Sequence, residues 1–449
     1  RTLDGYGMGG ILADDMGLGK TVQVLSYLLA MKQNDQTLPS LIVCPASLVL
    51  NWAEECQKFT PELSCVVVDG DAAHRAELAE SWPAADLVVT SYDLLRRDEA
   101  LYEGQEFYAC ILDEAQAIKN HTTQKYKAVC KVRSRVRFAL TGTPVENRLG
   151  ELWSIFSFLM PGYLPPYKSF CSRFEKPIVQ EEDQTAVRRL NQLTGPFILR
   201  RMKSDVLKEL PPKTENVYRI ELEEEQRKLY LAAVVDAREK LQAAKPEDKM
   251  AVFAVLMRLR EICCDPRLIA DNWEGGSAKL DACAELVSSA VEGGHRILLF
   301  SQFTSMLELL AKRLDAEGIS HFTLQGSTPK PVRAELVRRF NGGEVSVFLI
   351  SLRAGGTGLN LTAADIVIHY DPWWNVAAQN QATDRAYRIG QQNPVQVYKL
   401  IAQDTIEEKI VELQQAKQSL ADTVTGTADG AILSMRPDEL LQLLEGSEP

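Results

Sequence analysis

Strand-length apolar runs alternate with amphipathic helical stretches through the first part of the chain. Strands that are joined through helices normally lie parallel, so this alternation predicts a mostly parallel sheet with helices on both faces. The ligands of such a sheet bind at the carboxyl ends of its strands. The predicted strands are Leu41–Cys44, Cys65–Val68, Leu87–Thr90, Cys110–Leu112 and Arg137–Leu140, and the predicted helices include Thr21–Lys32 and Ser47–Phe59.

The alternation stops after Gly150 and gives way to helical patterns. A turn-rich stretch and an interruption near Pro246 separate these helices, which we interpret as insertions on and between two α/β lobes. The Gly275–Gly276–Ser277 segment is a plausible joint before the next lobe. The predicted helical segments are Leu152–Leu159, Thr185–Leu193 and Glu221–Arg260.

A second series of strands and helices follows and predicts a second parallel sheet. The fold class is therefore expected to be α/β, with two parallel-sheet lobes and helical insertions. We expect a first lobe at residues 1–150, insertions at 151–275, a second lobe at 276–425 and a tail at 426–449. The strands predicted for the second lobe are Ile297–Phe300, His321–Leu324, Val345–Ile350, Ile366–His369 and Val395–Leu400, with a closing helix at Thr405–Ala421.

Length and composition restrict the class of protein. The 449 residues are too many for one compact domain. A net charge of −11 argues against a surface that is positively charged throughout, so any contact with DNA must come from a local groove. No apolar run approaches the roughly 20 residues that a helix needs to cross a bilayer. The nine cysteines form no CxxC pair, and this pattern favours a cytosolic chain with reduced thiols. Because Arg1 lies shortly before a phosphate loop, we expect a piece of a longer protein.

A glycine-containing turn before a helix is the strongest local signal. Gly17 and Gly19 allow backbone N–H groups to surround phosphate oxygens, and the positive end of the following helix favours the same anion. Lys20 is expected to reach the β- and γ-phosphates and Thr21 to ligate Mg²⁺. The general pattern has glycine where Asp14 stands, so a simple turn before an ordinary helix is the alternative. The predicted phosphate-binding residues are Gly17, Leu18, Gly19, Lys20 and Thr21.

Two acidic residues end a predicted strand at Asp113 and Glu114. At that position Asp113 is suited to hold Mg²⁺, and Glu114 is suited to orient and deprotonate an attacking water. A helix N-cap is the alternative explanation for such a pair. The presence of the Lys20 loop in the same lobe favours the catalytic interpretation.

Two further patterns lie beyond the acidic pair. Thr141 and Thr143 belong to a strand that runs into a polar turn, which by itself indicates only a turn.

Gln381, Arg385 and Arg388 recur at spacings of four and three, so on a helix they would share one face. Such a face suits a γ-phosphate, since arginine fingers contribute roughly 10³–10⁵ in rate. A solvated basic helix face is the alternative.

These elements, in this order, resemble the superfamily-two helicases and translocases, and the intervening sequence is similar to the Swi/Snf-type ATPases. The resemblance covers about residues 5–425. The acidic motif at 113–116 (DEAQ) and the threonine motif at 140–147 (LTGTPVEN) are more similar in sequence to those of bacterial members than to those of eukaryotic remodellers. The segments that carry the resemblance are 41–52 (LIVCPASLVLNW), 88–95 (VVTSYDLL), 199–201 (LRR), 259–268 (LREICCDPRL), 297–307 (ILLFSQFTSML), 351–375 (SLRAGGTGLNLTAADIVIHYDPWWN) and 384–391 (DRAYRIGQ).

The resemblance implies two RecA-like lobes that bind ATP and Mg²⁺. Lys20, Thr21, Asp113 and Glu114 would act from the first lobe, and Arg385 and Arg388 from the second. Gly358 and Gln381 would face the nucleotide. Thr141, Thr143 and Gln116 would couple the ATP site to DNA.

The resemblance also implies that the chain tracks along double-stranded DNA and holds mainly one strand's phosphates. Hydroxyl and amide groups at loop starts suit such contacts. Trp52 is equally suited to be a core aromatic, and Ser301 and Gln302 could form a helix cap. The DNA-contacting positions implied are Asn51, Trp52, Thr90, Ser91, Ser301, Gln302, Arg353 and Trp374.

Three departures from the family pattern stand out. Gln116 replaces a common histidine, which keeps hydrogen bonding but removes a pH-sensitive role. Thr357 stands where many members have leucine or phenylalanine, and we have no interpretation for it. The family's adenine-reading glutamine segment would precede Arg1, so the resemblance assigns no adenine-reading residue within this piece.

The leading hypothesis is an ATP-hydrolysing, DNA-dependent translocase that remodels protein–DNA complexes. A strand-separating helicase is a close alternative, and a non-catalytic ATP-dependent clamp is a third. The expected partners are double-stranded DNA and DNA-bound proteins or RNA polymerase, with no membrane contact and a monomeric motor core. We expect the cytoplasm, at the nucleoid, for a bacterial protein and the nucleus for a eukaryotic one.

Overall fold

The computed structural model describes most of the chain as two compact units. The first unit contains the described residues up to 207, and the second contains those from 210 onward. The described residues are 1–34, 36–142, 149–181, 183–207, 210–243, 245, 248–270, 272–355, 359–373, 376–414, 440, 441 and 444.

A seven-stranded sheet forms the centre of the first unit, and all its neighbouring strands are parallel. Numbered along the chain, its strands are β1 (Gly10–Leu12), β2 (Ser40–Cys44), β3 (Cys65–Val67), β4 (Leu87–Ser91), β5 (Glu106–Leu112), β6 (Arg133–Leu140) and β7 (Ile198–Leu199). Their spatial order is β3–β4–β2–β5–β6–β1–β7. The carboxyl ends of β1, β2, β4, β5 and β6 therefore meet at one edge, where all the predicted motifs of this lobe begin.

Helices cover both faces of this sheet. They are α1 (Thr2–Gly5), α2 (Lys20–Lys32), α3 (Val49–Phe59), α4 (Ala72–Ser81), α5 (Tyr92–Arg97), α6 (Glu99–Tyr102), α7 (Gln124–Lys131), α8 (Leu149–Leu159), α9 (Tyr167–Phe170), α10 (Lys176–Gln180), α11 (Gln184–Thr194) and α12 (Lys203–Val206). Side-chain oxygens cap several of them: Asp71 caps α4, Ser91 caps α5 and Thr123 caps α7.

Successive residues of the central strands pack into different hydrophobic clusters on the two faces of the sheet. In β2, Leu41 and Val43 belong to one cluster, whereas Ile42 and Cys44 belong to the other. Side chains of a strand alternate between the faces, so a strand covered on both sides must be apolar throughout. All five residues of β2 are buried, which explains why such continuous apolar runs are recognisable in the sequence.

The second unit is built on a six-stranded parallel sheet. Its strands are β8 (Lys213–Ile220), β9 (Ile297–Ser301), β10 (His321–Leu324), β11 (Val347–Ser351), β12 (Ile366–His369) and β13 (Val395–Ala402), in the spatial order β10–β11–β9–β12–β13–β8. Ile297 and Leu299 of β9 pack into one cluster, and Leu298 and Phe300 pack into another. The same alternation thus makes this sheet a layer with two covered faces.

The helices of the second unit are α13 (Glu224–Ala243), α14 (Lys249–Cys264), α15 (Ala278–Glu292), α16 (Thr304–Ala316), α17 (Lys330–Asn341), α18 (Leu352–Gly355) and α19 (Val376–Thr383). Residues 406–414 are also helical. The pair α13 and α14 forms a separate cluster with that segment, in which Tyr230 and Leu256 pack with Ile406 and Ile410. The long helical section expected after Glu221 is therefore confirmed as two helices.

The sequence-based expectations do not include strands β1, β7 and β8, and one boundary also differs. β7 has only two residues, and seven of the eight residues of β8 are exposed, so neither strand has the apolar signature of a buried strand. β7 pairs with β1 in the first sheet, and β8 pairs with β13 in the second. The expected insertion at 151–275 is consequently divided between the two units rather than forming a region of its own.

No helix within the described ranges is long and apolar enough to cross a membrane. α13 has 20 residues, a length that suits a bilayer. It nevertheless begins with Glu224 and Glu225, and its buried residues Tyr230, Val234 and Leu241 recur at helical spacing on one face. This helix is amphipathic and packs on the core of its own unit.

Candidate active site

The phosphate loop connects β1 to α2 at the carboxyl edge of the first sheet. Gly17 and Gly19 have positive φ angles of 84° and 73°, a conformation that glycine adopts without strain. Gly19 is the N-cap of α2, so the helix begins at Lys20, and Thr21 lies in its first turn. Lys20 Nζ donates to the carbonyl oxygens of Asp14, at 2.7 Å, and Asp15, at 3.4 Å. The expected cradle of glycine turn, lysine and helix N-terminus is present.

Asp14 stands where the general phosphate-loop pattern has glycine, and the structure gives the physical reason. Its carboxylate is completely buried and accepts hydrogen bonds from the side chain and backbone N–H of Arg201. Gln23 Nε2 also donates to it, at 3.2 Å. Burial alone would raise the pKa of Asp14, but the bonds from Arg201 and Gln23 and the nearby positive charges lower it below the usual value. Asp14 is thus an anchor of the loop.

Sequence reasoning missed Arg201 as a member of this site. The segment that contains it follows β7, which pairs with β1 directly before the loop. Asp15 N donates to the carbonyl of Arg201 at 3.0 Å, and Lys203 N donates to Asp15 Oδ2 at 2.9 Å. The charged Asp14 at a buried strand end was the available signal, since such a carboxylate requires a cationic partner.

The acidic pair follows β5, next to the phosphate loop. Asp113 Oδ1 accepts the backbone N–H of Glu114 at 2.9 Å, and Asp113 Oδ2 accepts the indole N–H of Trp52 at 2.9 Å. Glu114 has a φ angle of 50°, which is unusual for a residue other than glycine. It is the N-cap of the short helix Ala115–Ile118 but makes no side-chain capping bond. The structure therefore does not support helix capping as the reason for this pair.

The charges of the loop and the acidic pair act on one another. Burial raises the pKa of Asp113 to about 7, and the charge of Glu114 adds to this effect, against the opposing influence of Trp52 and Lys20. Burial likewise lowers the pKa of Lys20, while the carboxylates of Glu114 and Asp113 act in the opposite direction. The structure thus brings Lys20, Asp113 and Glu114 together at one edge of the sheet.

Gln116 links Glu114 to the end of the neighbouring strand β6. Gln116 Nε2 donates to Glu114 Oε2 at 2.7 Å, and Gln116 Oε1 accepts from Thr141 Oγ1 at 3.1 Å. Thr141 is buried and follows β6 directly. The glutamine therefore uses both its donor and its acceptor, which a neutral histidine ring could also do. Thr143, the other predicted coupling residue, lies outside the described residues.

The residues expected to hold Mg²⁺ have the donor atoms that this ion prefers. Thr21 offers a hydroxyl and Asp113 a carboxylate, and Mg²⁺ is typically bound by one or two such oxygens together with substrate phosphates. Within the described ranges, no group of three or more His, Cys, Asp and Glu side chains is arranged to hold a metal ion. The donor set fits a cation that is bound with a nucleotide.

The expected helical face of Gln381, Arg385 and Arg388 is not formed in the second unit. α19 ends at Thr383, and a turn follows. The reason is visible in the backbone, where Arg385 N and Ala386 N donate to carbonyls three residues earlier, a tighter geometry than that of an α-helix. Arg385 is buried and Arg388 is partly buried, and the prediction that one helix carries all three side chains is wrong.

In the first unit, three of the four predicted DNA-contacting side chains are buried and bonded to protein groups. Trp52 is 1% exposed and contacts Asp113. Thr90 Oγ1 accepts from Tyr102 OH at 3.0 Å, and Ser91 Oγ caps α5. Direct side-chain contact with DNA is therefore not supported for these three residues. Asn51 on α3 is partly exposed, and its Nδ2 donates to Glu55 Oε1 at 3.2 Å.

In the second unit, Ser301 is completely buried and donates to Asp371 Oδ1 at 2.6 Å, while its Oγ accepts the backbone N–H of Phe303. A direct DNA contact of this buried side chain is therefore not supported. The helix-cap alternative is not supported either, because the N-cap of α16 is Phe303 and no side chain makes a capping bond there. Gln302 is partly buried, and its backbone N–H donates to the same carboxylate, at 3.2 Å from Oδ1. Thr357, Gly358 and Trp374 lie outside the described residues, as does the side chain of Arg353.

Comparison with known proteins identifies the family. Residues 2–268 match the SNF2-related domain, and residues 278–390 match the helicase conserved C-terminal domain. The first match alone covers more than half of the chain. The chain belongs to the SNF2 family. Its two parallel-sheet units have the two-lobe α/β architecture that the resemblance to Swi/Snf-type ATPases implies, and members of the SNF2 family are DNA-dependent ATPases.

Relatives of this SNF2 chain are found in bacteria and in eukaryotes. An uncharacterized ATP-dependent helicase of Mycoplasma pneumoniae is 41% identical over 451 residues, which cover 99% of this chain and 43% of the relative. The putative ATP-dependent helicase/translocase YwqA of Bacillus subtilis is 40% identical over 448 residues, which cover 97% of this chain and 48% of the relative. MOT1 of Saccharomyces cerevisiae, a TATA-binding protein-associated factor, is 34% identical over 516 residues, which cover 99% of this chain and 28% of the relative.

The chain spans less than half the length of each of these relatives. Among solved structures, the SWI2/SNF2 ATPase core of Sulfolobus solfataricus in complex with double-stranded DNA is 36% identical to it. That match covers 98% of this chain and 93% of the solved chain, with a TM-score of 0.48.

Proposed function

We propose that this SNF2 chain hydrolyses ATP and uses the energy to translocate along double-stranded DNA, thereby remodelling protein–DNA complexes. The observation that carries the proposal is the convergence of Lys20 with Asp113 and Glu114 at the carboxyl edge of the first sheet. A phosphate-binding lysine beside two carboxylates is the arrangement that nucleotide hydrolysis requires. It accounts for the phosphate loop and the acidic pair by one activity.

In this proposal the phosphate loop binds the polyphosphate of ATP. The backbone N–H groups around Gly17 and Gly19 contact phosphate oxygens, and the N-terminus of α2 contributes its positive dipole. Lys20 moves its ammonium from the loop carbonyls to the β- and γ-phosphates. Thr21 and Asp113 would hold Mg²⁺, which when bound neutralises charge on the phosphates.

Glu114 is proposed to be the general base. Its carboxylate orients a water for attack on the γ-phosphate and accepts a proton from it. The bond from Gln116 fixes one carboxylate oxygen, Oε2, and so sets the direction of the carboxylate. The φ angle of 50° at Glu114 supports a functional role, because strained backbone is commonly retained at active sites.

The second unit is proposed to supply positive charge to the same reaction. Arg385 and Arg388 would neutralise charge on the γ-phosphate in the transition state. Gln381 and Gly358 are proposed to contact the nucleotide. The support for this part is the match of residues 278–390 to the helicase conserved C-terminal domain, which contains all four residues.

DNA contact is proposed to be local and independent of base sequence. The net charge of −11 argues against a broadly basic surface, whereas the amide group of a partly exposed residue such as Asn51 suits an individual phosphate. The description of YwqA as a helicase/translocase supports an action on nucleic acid. The description of MOT1 as a factor associated with TATA-binding protein supports an action on DNA-bound protein.

A strand-separating helicase is the alternative, because the Mycoplasma pneumoniae relative carries the name ATP-dependent helicase. The decisive experiment presents the chain with a DNA triplex and with a forked duplex, each with ATP. Translocation on duplex DNA predicts ATP-dependent displacement of the third strand and no separation of the fork. Fork separation without triplex displacement would favour the helicase. A Lys20→Ala variant is the matched control, since it removes the phosphate-binding ammonium.

A further inference from the structure

Two aromatic side chains of the first unit donate hydrogen bonds to the same residue, Asp113. The indole Nε1 of Trp52 donates to Asp113 Oδ2 at 2.9 Å. The hydroxyl of Tyr92 donates to the backbone carbonyl of Asp113, also at 2.9 Å. Each of these aromatic residues directly follows a predicted DNA-contacting position, namely Asn51 and Ser91. The two bonds therefore connect two segments that the resemblance assigns to DNA contact to one residue. Trp52 reaches the carboxylate of Asp113, and Tyr92 reaches its backbone carbonyl.

The sheet topology explains why both contacts reach Asp113. β2 lies between β4 and β5, and Asp113 N donates to the carbonyl of Val43 in β2 at 2.9 Å. Trp52 lies on α3, which follows β2, and Tyr92 begins α5, which follows β4. The carboxyl ends of three adjacent strands thus place these side chains around the end of β5.

The two rings are fixed by packing on opposite faces of the sheet. Trp52 is 1% exposed and belongs to the cluster that contains Ile42 and Cys44. Tyr92 is 3% exposed and belongs to the cluster that contains Leu41 and Val43. A densely packed ring cannot turn without displacing its neighbours. Any movement of α3 or of the start of α5 therefore moves a hydrogen-bond donor of Asp113.

Core packing alone does not account for these contacts. Trp82 is also completely buried in the first unit, but its indole nitrogen has no hydrogen-bond partner among the described residues. Burial of a tryptophan in this fold is therefore possible without a polar contact. The hydrogen bonds of Trp52 and Tyr92 to one residue at the active-site edge are a separate feature that requires its own explanation.

We propose that Trp52 and Tyr92 are positioning residues of Asp113. Trp52 transmits the presence of DNA at the exposed part of α3 to the carboxylate of Asp113, and Tyr92 holds the backbone of Asp113 in place. The inference rests on the proposed function, in which Asp113 holds Mg²⁺ with the nucleotide. DNA bound at the exposed part of α3 shifts the helix slightly. The indole then reorients the carboxylate for metal binding and so links DNA contact to ATP turnover.

The test compares two conservative variants with two matched controls. Tyr92→Phe removes only the hydroxyl, whereas Trp52→Phe removes the indole N–H together with part of the ring volume and leaves a buried aromatic ring. Trp82→Phe repeats the tryptophan substitution, with the same loss of ring volume, at an indole that has no hydrogen-bond partner among the described residues. Tyr126→Phe removes a hydroxyl that donates to Ser157 at 2.9 Å. Thermal unfolding of all four variants establishes which of them are folded.

Two measurements on the full 449-residue chain decide the inference. The first is the Mg²⁺ concentration at half-maximal binding of a fluorescent ADP analogue, which does not depend on catalysis. The second is the ratio of ATP turnover with and without duplex DNA. Outer contacts of metal ligands typically contribute 10–100-fold to affinity or activity. We expect Trp52→Phe to raise the Mg²⁺ requirement about tenfold and to reduce the DNA stimulation by a similar factor, with Tyr92→Phe changing both in the same direction.

The inference is overturned if Trp52→Phe matches Trp82→Phe, and Tyr92→Phe matches Tyr126→Phe, in both measurements. If Trp52→Phe does not fold, the Tyr92 pair alone decides by the same criterion. If the unmodified chain shows no DNA stimulation, the proposed function fails, yet the Mg²⁺ titration still decides whether the two residues position Asp113.

Discussion

The guanidinium of Arg201 forms an ion pair with the buried carboxylate of Asp14, a residue 187 positions earlier in the chain. The same guanidinium contacts Gln23 on the first helix after the phosphate loop. A single side chain thus connects the loop, its helix and the segment that follows β7. This network replaces the glycine of the general phosphate-loop pattern and makes the loop dependent on a distant part of the first unit.

Substitution of Arg201 by alanine should destabilise the first unit. It leaves the completely buried carboxylate of Asp14 without its cationic partner, and a buried acceptor that loses a charged donor typically costs about 1–3 kcal/mol. Urea unfolding of Arg201→Ala against Arg200→Ala measures the effect, because Arg200 is an exposed neighbour of the same residue type. Equal free energies of unfolding for the two variants would contradict the anchoring role.

The same ion pair predicts a dependence of stability on pH. The folded pKa of Asp14 lies below its usual value, so this group stabilises the folded state above its unfolded pKa, at about 4. The contribution is lost as the pH falls through the lower folded pKa. The difference in unfolding free energy between the unmodified chain and Asp14→Asn should therefore shrink below about pH 4. A difference that is constant from pH 7 to pH 3 would show that the charge of Asp14 is not involved.

Gln116 and Thr141 should act as one unit. Gln116→Ala removes the donor to Glu114, and Thr141→Val removes the hydroxyl that donates to Gln116. Each variant is expected to reduce DNA-stimulated turnover by about tenfold, with little change in ATP affinity. Because the two groups share one hydrogen-bond chain, the double variant should lose little more than either single variant. If the loss of turnover in the double variant equals the product of the two single losses, the two residues act independently, which would contradict this prediction.

Arg388 should contribute to turnover more than to nucleotide affinity. A charge that acts mainly on the transition state lowers kcat when it is removed, and arginine fingers contribute roughly 10³–10⁵ in rate. Arg388→Ala is therefore expected to lose most DNA-stimulated ATP hydrolysis while the affinity for ATP changes several-fold at most. Steady-state kinetics with an independent nucleotide-binding titration separate the two effects. Equal losses in both would make Arg388 a binding residue only.

The sequence predicted the central strands well because burial on both faces makes them continuous apolar runs. His321–Leu324 and Ile366–His369 have the predicted bounds, and Ile297–Phe300 extends by one residue. β8 escaped prediction because it is exposed along almost its whole length, and its position is set by pairing with β13. Its place in the fold comes from a tertiary contact, which periodicity does not encode.

The site was predictable where a motif is local and unpredictable where side chains converge from distant segments. Lys20, Asp113 and Glu114 follow strand ends, so their meeting at one edge follows from the parallel topology. The burial of Trp52 and its bond to Asp113 depend on the packing of α3. The end of α19 at Thr383 was missed because the spacing of Gln381, Arg385 and Arg388 fits a helix, whereas the backbone tightens into a turn.

The central claim is that Glu114 is the general base of DNA-dependent ATP hydrolysis, and one assay tests it directly. ATP turnover of the unmodified chain and of Glu114→Gln is measured with no nucleic acid, single-stranded DNA, duplex DNA and duplex RNA. We predict that duplex DNA gives the strongest stimulation of the unmodified chain, and that Glu114→Gln binds ATP normally but is not stimulated. Unchanged turnover of Glu114→Gln, or turnover that does not respond to duplex DNA, would contradict this account.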